Sequence, residues 1–134
     1  SPLRDLPEID LLVTDPADVD ERLAHVVDAE GPQLILVDDV DLIDKSETLS
    51  ALATSRRSDL HVIGVGRREL KRQYNHWAAA LTKSRKGVWL QPSPGLDGDL
   101  WATPMPRHIP PGMPQGRGFL IADGRIELVQ TALP

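Results

Sequence analysis

The chain has 134 residues, of which 40% are apolar and 26% charged, with a net charge of −5. Those figures fit one domain with an ordinary core and exclude wholesale disorder. It contains no cysteine, which removes disulfides, thiolate catalysis, thiolate zinc sites and iron–sulfur clusters together.

Taken in chain order, Ile9–Val13 predicts a first strand, and Thr14-Asp15-Pro16 predicts a helix start with Asp15 as the capping residue and Pro16 in the first helical position. Val19, Leu23, Val26 and Val27 form one apolar stripe of that helix, which Gly31-Pro32 stops. Leu34-Ile35-Leu36-Val37 is apolar at every position, the pattern of a parallel strand buried on both faces. Ser46 opens a short helix through Leu49 and Leu52 that ends near Arg56-Arg57. His61–Val65 predicts another strand. A longer helix is expected from about Glu69, with Leu70, Tyr74, Trp77, Ala78 and Leu81 on its apolar face, Trp77 in the core and His76 exposed. Gly87 closes it before a fourth strand, Val88-Trp89-Leu90. This alternation predicts an α/β chain built on a parallel sheet.

Residues 91–117 hold seven of the twelve prolines, so this segment is expected to run extended over the surface. Its stretch Pro104–Pro114, with Met105 and Met113, is either an adaptable apolar surface or a strap over the sheet. Residues 118–131 predict a hairpin closed by Asp123-Gly124 in a type I′ turn. The whole is expected to be a single partial domain over residues 1–134.

No apolar run approaches the ~20 residues of a membrane span, and no basic start followed by an apolar stretch marks a secretion signal. A cytoplasmic location is therefore expected. The first residue is Ser rather than Met, which suggests a piece of a longer protein whose other parts are free to carry a membrane anchor.

Charge is divided along the chain. Residues 1–50 carry three basic and fourteen acidic side chains, and residues 51–86 carry nine basic and two acidic. Such asymmetry orients a partner or a neighbouring copy, or simply solvates helix surfaces. The basic cluster Arg67, Arg68, Lys71, Arg72, Lys83, Arg85 and Lys86 has three readings: contact with DNA phosphates, docking on an acidic module, or solvation.

The acids Asp38 and Asp39 directly follow the apolar strand. A strand that delivers carboxylates at its C-terminal end places them where open α/β sheets bind ligands. In P-loop nucleotide hydrolases the first such acid orients the magnesium shell and the second polarises the attacking water; a strand that merely enters a polar loop gives the same pattern. The Gly-rich phosphate loop that should accompany them is missing. Gly64-Val65-Gly66-Arg67-Arg68-Glu69-Leu70-Lys71 comes nearest and fails on spacing and on the final hydroxyl, while Gly116-Arg117-Gly118 is too short. The four histidines, His25, His61, His76 and His108, lack the spacing of a metal site, and Ser84 and Ser93 lack the context of a hydrolase nucleophile.

Read in order, Asp15-Pro16, Leu34–Asp39, His61-Val62-Ile63-Gly64-Val65-Gly66-Arg67-Arg68 and Gly116-Arg117-Gly118-Phe119-Leu120 resemble an FtsK/SpoIIIE-type motor ATPase. The likeness is greatest to the actinobacterial branch, including the C-terminal modules of EccC-like type VII secretion ATPases. It covers the part of the module downstream of the P-loop. The resemblance implies a RecA-like parallel sheet without its P-loop strand and helix, followed by the C-terminal hairpin. It implies that Asp38 matches the Walker B acid, reaching Mg2+ through bound water in the intact module, and that Asp39 stands where the family has its catalytic Glu. His61 matches the family's His, Gly66 replaces a Thr, Arg67 replaces the sensor Gln, and Arg68 matches the Arg.

Two departures fall on catalytic positions. Asp39 is one methylene shorter than Glu, and Arg67 cannot orient water as an amide does. The resemblance thus implies a degenerate module, with ATP and Mg2+ serving the intact parent and no tightly held cofactor on this chain alone. The partners it implies are neighbouring ATPase modules or copies of the same chain, a secreted protein substrate, or DNA. A missing internal strand should leave a groove or unpaired sheet edge, so dimers or aggregates are expected.

Overall fold

A computed structural model describes residues 7–67, 75–92, 103, 104, 106, 108, 109 and 112–131. These residues form a mixed α/β structure with two separate sheets, one of two parallel strands and one of three antiparallel strands. They fall into two compact units. The first runs to Arg67 and includes His76–Ala78; the second includes Asn75 and continues from Ala79.

The first unit is built by local signals. Asp15 accepts a hydrogen bond from the Ala17 N–H at 2.9 Å, with Pro16 in the first turn behind it. A single 3-10 turn, Pro16–Asp18, leads into α1 (Val19–Val27). Val19 and Val26 face inward from α1. Strand β1 (Gln33–Val37) follows, then a 3-10 turn at Val40–Leu42, helix α2 (Glu47–Thr54) and strand β2 (Leu60–Gly64). Strands β1 and β2 are parallel, with Gln33 opposite Leu60 and Val37 opposite Gly64. Helix α1 packs on α2, and α2 on β2. Leu49, fully buried, and Leu52 supply the apolar face of α2.

A polar knot joins the two helices. Ser46 caps α2 by accepting the Leu49 N–H at 2.9 Å, and its hydroxyl donates to Asp20 Oδ1 at 2.6 Å. The same Asp20 oxygen accepts the Thr48 N–H at 2.9 Å, so a carboxylate from α1 satisfies a donor in the first turn of α2. The Ser46 hydroxyl first, and the Thr48 N–H second, hold the Asp20 carboxyl below its ordinary value. A carboxyl lowered on folding contributes stability above its unfolded pKa and loses it as pH falls through the folded one. Asp20→Ala, which removes the acceptor shared by the Ser46 hydroxyl and the Thr48 N–H at a solvent-exposed site, is therefore expected to cost less than about 1 kcal/mol near neutral pH. In thermal unfolding, the difference from the parent should shrink as the solution is acidified through the aspartate range.

At the other end of the sheet, Arg57 grips Asp59 with two hydrogen bonds, at 3.0 and 3.1 Å, and donates to the carbonyls of Val27 and Gly31 at 3.4 and 3.1 Å. It closes the C-terminal end of α1, where the last carbonyls of a helix need donors. The Asp59 side-chain bond raises the Arg57 pKa further, and the Arg57 bond lowers that of Asp59.

The second unit holds a short helix, α3 (Ala79–Thr82), and strands β3 (Gly87–Leu90), β4 (Arg117–Ala122) and β5 (Arg125–Gln130), in the order β3-β4-β5. Asp123 and Gly124 both take positive φ, 51° and 77°, the conformation of the type I′ turn expected of Asp-Gly. Phe119 and Ile121 are buried on one face of β4.

Four expectations need correction. Ile9–Val13 forms no strand; these residues run irregularly and remain partly exposed, because a strand exists only where a ladder partner accepts it. A continuous helix through Leu81 is broken at 75–78, and only Ala79–Thr82 is helical there, while Leu70 and Tyr74 lie outside the described residues. Strand β3 is not a further parallel strand but pairs antiparallel with β4. His76 is buried, at 6% exposure, not exposed: its Nδ1 accepts the Ala78 N–H at 3.2 Å, and its ring lies against Trp77. Trp77 is in the core as expected, with its indole N–H donating to the Ile43 carbonyl at 2.8 Å. Most of the Pro-rich segment also lies outside the described residues.

Candidate functional site

The C-terminal end of the β1/β2 pair is shaped by what happens after the strands stop. The ladder continues for one residue more on β2. Val65 donates its N–H to the Val37 carbonyl at 2.8 Å, and its carbonyl accepts the Val40 N–H at 3.0 Å. Asp38 and Asp39 are the two residues between these anchor points, so the chain loops them outward while Val37 and Val40 point into the core. Asp39 takes a left-handed conformation, φ 47° and ψ 50°, which turns the chain from the strand into the 3-10 turn. Aspartate is among the few side chains that tolerate it. Asp38 Oδ1 accepts the Asp39 N–H at 3.0 Å, which holds the bend from the side. Both carboxylates are exposed.

A third acid completes the edge. Asp41, in the 3-10 turn, receives the Arg67 N–H on both carboxylate oxygens, at 3.1 and 3.2 Å. It pins the loop that leaves β2 to the loop that leaves β1. The sequence reading missed Asp41; its signal was a third acid two positions beyond Asp39, on the same turn. Arg67 itself is exposed beside this edge. The structure thus brings Asp38, Asp39 and Arg67 to one end of one parallel pair. Arg68 lies outside the described residues.

These bonds decide what Gly64-Val65-Gly66-Arg67 can do. An anion cradle requires successive backbone N–H groups turned toward the ligand. Here the Val65 N–H is spent in the ladder and the Arg67 N–H on Asp41. The stretch is a continuation of the sheet and not a phosphate loop. Among the described residues, no three His, Asp or Glu side chains converge as metal ligands. Among the described residues, a shallow surface depression lies at the opposite end of the sheet, around Val27, Gly31, Arg57 and Asp59. Its Arg57 is already committed to protein oxygens.

Among the described residues no helix is long and apolar enough to cross a membrane. Comparison with protein-family models, with curated proteins and with solved structures yields no match to this chain.

Proposed function

We propose that this chain is a degenerate ATPase-like module of the FtsK/SpoIIIE type, with a RecA-like sheet completed by elements it does not itself contain. It serves within a larger DNA or protein-secretion motor and does not hydrolyse ATP alone. One observation carries the reading: two adjacent carboxylates, Asp38 and Asp39, are looped out from the C-terminal end of a parallel strand pair, with Arg67 beside them. That is where α/β nucleotide-binding sheets keep their chemistry. The commitment of the Val65 and Arg67 N–H groups to protein acceptors supports the degenerate part of the reading.

Titration of the isolated chain with ATP and Mg2+ in a calorimeter is therefore expected to give no heat at a ligand concentration of ~1 mM, corresponding to binding weaker than about −4 kcal/mol. A micromolar Kd would overturn the degenerate assignment. In the intact parent protein, Asp38→Ala and Asp39→Ala are each expected to depress ATP hydrolysis and translocation. Full activity in both variants would remove these carboxylates from the mechanism.

A second reading, a non-catalytic module that docks a secretion substrate or a neighbouring ATPase module, is favoured by the apolar surface left open on the parallel sheet. Heat from a helical signal peptide, with none from nucleotide, would select it.

A further inference from the structure

Two backbone bonds set the phase of the β4/β5 ladder. Thr131 donates its N–H to the Gly116 carbonyl at 2.9 Å, while the next carbonyl, that of Arg117, faces the other way and accepts the Gln91 N–H at 3.3 Å. Antiparallel ladders alternate, so Arg125, Glu127 and Val129 bond inward to Ala122, Leu120 and Gly118. Ile126, Leu128 and Gln130 then present their N–H and C=O groups along the outer edge of β5. That strand ends the sheet, and among the described residues nothing pairs with its outer edge.

Natural sheets guard such an edge, often with a charge on the covered face. β5 carries none there. Trp89, Phe119 and Leu128 form one row across the sheet, and along it Phe119 is 6% exposed and Leu128 55%. The row is apolar up to the last strand and stops uncovered. The two charges of β5, Arg125 and Glu127, stand on the opposite face. The other edge of the sheet is better protected. On β3 only Val88 and Leu90 face outward, and left-handed residues, Arg85 at φ 53° and Gln91 at φ 47°, turn the chain on either side.

The β5 edge is complementary to itself. A twofold axis normal to the sheet sets β5 antiparallel to β5 of a second copy and keeps every side chain on its own face. Outward-bonding residues then meet outward-bonding residues. With the axis at Glu127, two glutamates stand directly opposite each other, which is unfavourable. With the axis at Val129, Ile126 falls beyond Thr131 of the other strand. With the axis at Leu128, Leu128 meets Leu128 and Ile126 meets Gln130, and each pair exchanges both of its backbone bonds. Glu127 comes opposite Val129, and Arg125 opposite Thr131. The two Glu127 side chains lie on a diagonal, each with Arg125 of its own strand beside it. We propose that β5 is the contact of a symmetric homodimer, which joins two antiparallel sheets edge to edge with Leu128 on the axis. The proposal does not depend on the nucleotide reading of Asp38 and Asp39.

A single strand edge buries less than the roughly 800 Å2 per partner of a standard interface. Sedimentation velocity of the full chain should therefore show monomer passing to dimer with a midpoint on the order of 10–100 μM. Amide exchange identifies the contact. The N–H groups of Ile126, Leu128 and Gln130 should gain protection as concentration rises, while those of Glu127 and Val129, bonded to β4, should be protected throughout. Because the chain has no cysteine, Leu128→Cys should give a disulfide-linked dimer on mild oxidation. Arg125→Cys, about 20 Å from its counterpart in this register, should not. Leu128→Lys should move the midpoint at least tenfold upward; exchange and cross-linking decide the matter even if that variant fails to fold. A monomer at every concentration overturns the proposal, including one that binds an extended peptide along β5. So does a dimer whose outward amides stay unprotected, or assembly that continues past the dimer. Cross-linking through Arg125→Cys as complete as through Leu128→Cys overturns the register.

Discussion

Gly118→Val is expected to cost about 3 kcal/mol or more and to separate β3 from β4. A Cβ built at Gly118 would stand 2.3 Å from the Trp89 carbonyl oxygen, 2.9 Å from its carbon and 3.0 Å from the Leu90 Cα. All three obstacles are backbone, so no side-chain rotation relieves them; the strands themselves must move apart. Gly118 lies opposite Leu90 in the ladder, and the missing side chain is what lets β3 close on β4. Gly118→Ala should act in the same direction with a smaller effect. Gly124→Ala is a useful contrast: it meets open space and carries only the cost of a positive φ, about 1–2 kcal/mol. Thermal unfolding and amide exchange across 87–90 and 117–122 test this. A Gly118→Val protein that melts with the parent would show that β3 is not held where the ladder places it.

The second large effect is expected at Leu49. Its side chain is wholly buried in α2, and its N–H is held by the Ser46 cap. Leu49→Ala should destabilise by about 2–5 kcal/mol, through lost apolar transfer and the cavity left behind. That is a large share of the roughly 5–15 kcal/mol that holds an ordinary domain together. Leu49→Met, which nearly conserves volume, should cost less than about 1.5 kcal/mol. In denaturant titrations the alanine variant should shift the midpoint at unchanged slope. A shift no larger than that of the methionine variant would place Leu49 outside the core.

The features legible in the sequence were those whose signals are local. Asp15-Pro16 announced the start of the first helical segment, Ser46 announced α2, and Asp123-Gly124 announced the hairpin; each depends on backbone groups within a few residues. The strands β1 and β2 were legible from their apolar runs, and the helix between them made them parallel. What could not be read was pairing and burial, which depend on distant residues. Leu34–Val37 carries apolar side chains on both faces, yet only Ile35 and Val37 are covered. Val88–Leu90 has the composition of a strand, but nothing in it names Gly118 as the place where its partner comes close. His76 looked like a surface residue because its polarity was visible and its neighbours were not. At the candidate site, Asp38 and Asp39 were legible as acids ending a strand, whereas their outward loop depends on Val65 bonding to both Val37 and Val40. The Asp20 tie to Ser46 and Thr48 had no sequence signal, since the partners are separated by a full strand.

The strand pairings also differ in how far the chain must travel to make them. β4 meets β5 across a two-residue turn, whereas β1 must wait for β2 until an entire helix and its flanking loops have been laid down. Short closures are fast and distant ones slow. Leu34-Ile35-Leu36-Val37 is thus left without its mate through that whole interval during synthesis, and its unbroken apolarity is a hazard in a crowded cell. The paired negative charges immediately behind it act as gatekeepers, repelling like segments of other nascent chains until β2 arrives.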